Sequence, residues 1–176
     1  MLGVVVTLLA AQPAPVDLGD VLRFRAPAKC EMGETLESIV GSMIRINPET
    51  YEGEPPPPVS VPGFAEPIAT RFERTRIVEG AADIRTVQVE LPLPGVWHGL
   101  RVLRLRRVFT EESDHSEVEI DFAEPADRVR SSLNAVGFQL RPVGEWRSID
   151  AESDAEPGVS IRVARAEEGS TLSCAT

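Results

Sequence analysis

Leu36, Ile39, Val40, Met43 and Ile44 recur at helical spacing and form a single apolar stripe. Glu34 and Glu37 fall in its first turns, where negative charge suits a helix N-terminus, and Arg45 falls in its last. Asn47-Pro48 stops the pattern, so the spacing predicts a helix over about 34–45. A second stripe is made by Val129, Leu133 and Val136. Pro125 suits the first helical position and Gly137 the position just past the end, which predicts a helix over about 125–136. Phe138 is placed to fold back on its last turn.

Between and after these helices the apolar period changes to two. Val87, Val89, Leu91 and Leu93 alternate with Thr86, Gln88, Glu90 and Pro92, the pattern of a half-buried strand that Pro92 and Pro94-Gly95 should end. Val118, Ile120 and Phe122 alternate with Glu117, Glu119 and Asp121. Further strands are expected over 21–25, 70–79, 100–110, 138–147 and 158–166, with a short one around Ser170–Ala175. Residues 48–68 carry seven of the 15 prolines, including the run Pro55–Pro58, so they cannot join a central strand and are expected to form a surface loop. The order helix, strands, helix, strands predicts an α+β fold, with both helices packed on one face of a largely antiparallel sheet.

The N-terminus has a different character. Residues 1–11 contain one polar side chain, Thr7, and no charge. Such a run is shorter than the roughly 20 residues a membrane-spanning helix needs. It fits the apolar region of a signal peptide, although no Lys or Arg precedes it. The expectation is a leader over residues 1–14 and one domain over 15–176, the alternative being a buried N-terminal strand through Val4–Val6. Cys30 and Cys174 bracket that domain, and an oxidising compartment would let them pair. Their spacing has none of the pattern of a zinc or thioredoxin-like site.

Charge narrows the partners. The net charge of −10 is spread over both halves of the 176 residues and argues against a nucleic-acid partner. Seventeen of the 18 basic residues are Arg, which suggests a GC-rich bacterial coding sequence.

Few residues offer chemistry. His115 lies in a turn-rich stretch and reads as a turn residue. His98, beside Trp97, is the one candidate for a catalytic role, set against an ordinary place in a loop. No G-x-S-x-G, P-loop or dinucleotide fingerprint accompanies it, and no cofactor is expected. Arg101, Arg104, Arg106 and Arg107 could contact an anion or a partner. Thr110–Asp127 holds eight acidic residues and no basic one, so cross-strand ion pairing within a hairpin is the stronger reading. Asp150, Glu152, Asp154 and Glu156 resemble the opening of a calcium loop. Ala155 and Ile161, however, stand where an EF-hand needs Gly and a bidentate Glu, so a solvated acidic loop is preferred and no metal is expected.

These readings lead to a secreted or periplasmic protein without enzymatic activity that binds another protein or an envelope component. The alternatives are a hydrolase-like enzyme using His98 and a cytosolic acidic adaptor whose helix–strands–helix–strands order resembles the general plan of small secretion chaperones. N-terminal sequencing of the protein from its native cell fraction should find a chain beginning near residue 15 outside the cytoplasm; material retaining Met1 in the cytosol would remove the leader.

Overall fold

A computed structural model describes residues 14–50, 52–79, 82–111, 115–149 and 158–175. The expected leader core and the acidic quartet Asp150, Glu152, Asp154 and Glu156 lie outside the described residues. The chain enters through a turn closed by Leu22 N–H on Leu18 O (2.8 Å). Strand β1 (Phe24–Ala26) therefore starts later than expected and pairs with β2 (Glu31–Met32) around a 3-10 turn at Pro27–Lys29.

Helix α1 (Glu34–Ser42) buries Leu36, Ile39 and Val40 as the stripe requires. It ends three residues before the predicted limit, and Arg45 does not serve its last turn. The cause is downstream: Glu54 N–H donates to Arg45 O, Asn47 N–H to Glu52 O, and Ile46 bridges Gly53. Residues 45–47 and 52–54 are thereby committed to pairing with each other in a hairpin-like excursion. Asn47 closes it by accepting from the Glu49 and Thr50 N–H groups, an Asx-type turn.

The proline segment is more than a surface loop. Pro56, Val59 and Val61 are buried, and Val59 bridges Ile68 in both directions at 2.8 Å. Its start is tied to the sheet by Gly53, whose N–H donates to Glu111 and whose carbonyl accepts from Arg74.

The sheet comprises β3 (Arg71–Glu79), β4 (Ala82–Trp97), β5 (Leu100–Thr110), β6 (Ser116–Phe122), β7 (Arg147–Ile149), β8 (Val159–Ala166) and β9 (Gly169–Ala175). Its order is β3-β4-β5-β6-β9-β8-β7 and every pair is antiparallel. β4 runs through Pro92 and Pro94-Gly95, which were expected to end it. β3 leaves β4 at the Arg71–Glu90 pair, so a missing proline N–H beyond that point costs no bond to β3. Residues 16–18 take over that side in parallel: Val96 N–H donates to Val16 O and Leu18 N–H to Val96 O, both at 2.8 Å. The approach is close enough that a β-carbon on Gly95 would lie 2.7 Å from Leu18 Cγ.

Helix α2 (Ala126–Ala135) lies against β8 and β9. Pro125 caps it in extended conformation rather than opening it. Gly137, at φ +103°, ends it with the two bonds of a Schellman motif, Gly137 N–H to Asn134 O and Phe138 N–H to Leu133 O. Val136 falls just past the helix and is 39% exposed, whereas Val129 and Leu133 are fully buried. The strand expected over 138–147 shrinks to Arg147–Ile149. Gln139 and Gly144 take positive φ, and the Asn134 side chain bonds both the N–H and the carbonyl of Leu140. Those groups are then lost to any ladder.

Residues of α1, α2, the proline segment and one face of the sheet form a single apolar cluster. Both helices thus lie on that face, in an α+β arrangement. Cys30 and Cys174 are disulfide-bonded, tying the 3-10 turn to β9 across 144 residues, with Cα atoms 6.0 Å apart. No helix among the described residues is long and apolar enough to cross a membrane. Reducing this bond should lower the unfolding free energy by about 4–5 kcal/mol on the loop-entropy account. Urea titration with and without reductant measures it; an unchanged midpoint would show that the bridge constrains nothing.

Candidate functional site

β4 and β5 are joined by His98-Gly99 alone, with Trp97 paired to Leu100. Both loop residues have positive φ, +50° and +74°, as a two-residue type I′ hairpin requires. Histidine is among the non-glycine residues that tolerate this region. Turn geometry by itself therefore accounts for His98, and it leaves the side chain exposed above Trp97, ring centroids 4.9 Å apart.

Trp97 is 1% exposed and anchors an aromatic group. Phe24 lies 5.9 Å away, Phe138 5.8 Å and Phe122 6.1 Å. In front of it a cavity of about 510 Å³ opens between Asp17, Asp20, Arg23, Phe24, Pro27, His98, Val136 and Phe138. Four stretches of chain build it: residues 17–24, the 3-10 turn, the β4–β5 hairpin and the end of α2 with the turn after it. Its polar groups are partly committed. Asp17 Oδ1 accepts from Gly19 N–H at 2.8 Å, and Arg23 donates to Asp20 at 2.5 Å. The Trp97 indole N–H is buried without an acceptor among the described residues. No described lining residue is Ser, Thr, Cys or Lys.

Sequence reasoning singled out His98 but neither Asp17 nor Asp20. Their part in the cavity follows from residues 16–18 lying beside Val96, which nothing in the local pattern signals. His115 sits where β6 begins, its carbonyl accepting from Thr110 N–H.

The four arginines divide between two faces of the sheet. Arg104 and Arg106 point away from the core. Arg104 contacts Asp121 at 2.5 Å and Glu90 at 3.4 Å; Arg106 contacts Asp121 at 2.8 Å and Glu119 at 2.9 Å. Cross-strand ion pairing thus holds for these two. Arg101 makes no ion pair among the described residues; its backbone N–H donates to Glu124. Arg107 lies on the core face between Val89 and Val118, its Nε buried without a partner, and desolvation lowers its pKa.

Asp121 is 1% exposed, although its face of the sheet is charged. Burial alone would raise its pKa, but hydrogen bonds from Arg106, Thr171 and Arg104 outweigh it and hold the carboxyl below its ordinary 3.8. Glu119 moves the other way. Burial raises it above 4.5, and Arg106 and the Ser173 hydroxyl offset this only in part.

The chain matches no protein-family model, no curated protein and no solved structure.

The ion network makes a signed prediction. A depressed folded pKa means that the Asp121 contribution is present above its ordinary value and is lost as pH falls through the lower folded value. Glu119, with its raised folded pKa, contributes fully only below 4.5 and loses that contribution as pH rises through its folded value. Asp121→Asn should therefore cost about 3 kcal/mol at pH 7, since it leaves two half-buried arginines short of a partner. The gap to the parent should narrow as pH falls below 3.8. Urea titrations at neutral and acid pH check this; a gap independent of pH would sink it.

Proposed function

We propose that this chain is a non-enzymatic binding protein of an oxidising compartment, secreted or periplasmic. It takes part of a protein partner or an envelope component into the cavity beside His98. The observation that carries the reading is the cavity itself. Its size falls in the range of small-ligand sites, it has an aromatic floor and an apolar lip, and a few polar groups converge on it. The Cys30–Cys174 bond supports an oxidising location and weighs against the cytosolic adaptor, because cytosolic thiols are kept reduced.

A hydrolase is the second reading. It is favoured by the presence of His98, Asp17 and Asp20 in the lining of one cavity, the ingredients of general acid–base work. Against it, Asp20 is held by Arg23, one oxygen of Asp17 is held by Gly19, and His98 is explained by its turn.

His98→Asn separates the two. Asn accepts positive φ, so the hairpin should persist with stability changed by less than about 1 kcal/mol. The parent should show no turnover of ester, amide or phosphoester substrates above the buffer rate. Hydrolysis by the parent that His98→Asn abolishes, with an unchanged circular dichroism spectrum, would replace the binding reading with the hydrolase.

A further inference from the structure

The cavity beside His98 has an uneven charge. Its described charged residues are Asp17, Asp20 and Arg23. Arg23 and Asp20 pair at 2.5 Å with both side chains largely exposed, a weak contact in which their formal charges cancel. Asp17 is left over: one oxygen accepts from Gly19 N–H, and no donor among the described residues meets the other. The apolar side is equally uneven. Trp97 and Phe138 are 1% exposed, so they line the floor while offering a ligand almost no accessible ring surface. Val136, 39% exposed, with the partly buried Phe24 and Pro27, supplies apolar surface reachable from solvent.

From this juxtaposition, and resting on the binding reading above, we infer that the cavity takes an amphiphilic organic cation: an ammonium or guanidinium group at Asp17, with its apolar body against Phe24, Pro27 and Val136. Asp17 is exposed, so its free oxygen is open to an incoming cation, and a carboxylate is a charge-assisted acceptor for an ammonium or guanidinium group. An anion would meet two carboxylates, Asp17 and Asp20, against one arginine. The field of the whole chain has the same sign, since a net −10 draws cations and repels anions at the encounter stage. Selectivity comes from the carboxylate and not from stacking on Trp97 or Phe138, because both rings are almost wholly buried. A free amine and a basic, apolar side chain of a peptide present the same chemistry.

Asp17→Asn is a clean probe. Asparagine keeps the oxygen that accepts from Gly19 N–H, so the turn survives and only the charge goes. The ligands are phenethylamine, its neutral analogue 2-phenylethanol, its anionic analogue 3-phenylpropionate, and an acetylated, amidated Phe-Lys-Phe peptide. Binding is followed in proton–nitrogen spectra at the Trp97 indole N–H and the His98 ring. The Trp146 indole, packed under Arg162 outside the cavity, is the internal control.

Phenethylamine should shift Trp97 and His98 saturably, about tenfold more tightly than the alcohol or the carboxylate. Asp17→Asn should bring the amine down to the alcohol. If the peptide matches or exceeds the amine, the cation is presented on a chain; if it binds less tightly, the cation is a free small molecule. Equal binding of amine and alcohol, tighter binding of the carboxylate, or an amine affinity unchanged in Asp17→Asn overturns the cation inference while leaving the cavity reading intact. If no ligand shifts Trp97 or His98, the cavity reading fails with it.

Discussion

β9 reaches its place between β6 and β8 only after the chain has passed through α2, β7 and β8, and the two halves of the sheet meet along its length. On the core side the junction packs Ile120 beside Leu172. On the other side the Thr171 hydroxyl donates to Asp121 at 2.6 Å, while Asp121 also gathers Arg104 and Arg106 from β5. At its end Cys174 is bonded to Cys30. Apolar packing, a buried ionic group and a covalent bond thus converge on one strand pair whose partners are about 50 residues apart in sequence. Contacts so distant must offset a loop-closure cost before they stabilise anything, which makes this junction the step on which the sheet depends.

The sequence was legible where one local period determined the outcome. The α1 stripe through Leu36, Ile39 and Val40, the α2 positions Val129 and Leu133 and the alternation of β6 appear where the pattern placed them, because burial of one face enforces each. Gly137 and Phe138 formed the expected helix ending for the same reason: the bonds that close it are local. The ion pairs of Arg104 and Arg106 were legible as a class, from an arginine-rich strand next to an acidic one. Their partners required the register, and the irregularity between Val102 and Arg104 helps to set which arginines face Asp121.

What the sequence concealed was decided at a distance. Pro92 and Pro94 look like strand enders, yet β4 continues because β3 has already left and residues 16–18 lie alongside. Arg45 looks like the end of a helix, yet its carbonyl is claimed by Glu54. The cavity was hidden for the same reason. His98 was visible as a residue type, but Asp17 and Val136 join it only through the parallel bridge at Val96 and the turn after α2.

That parallel bridge also links folding to occupancy. Asp17 reaches the cavity through a short segment held at Val96 by two backbone hydrogen bonds. A molecule seated against both Asp17 and Val136 would span the entry segment and the end of α2, so its binding energy would add directly to the hold on the segment. By the same linkage, fraying of residues 16–20 dismantles one wall and lowers affinity by the fraction of time spent open. The entry segment is in this sense a part of the receptor that must be kept closed, and its amide protection from hydrogen exchange would serve as a gauge of how full the cavity is.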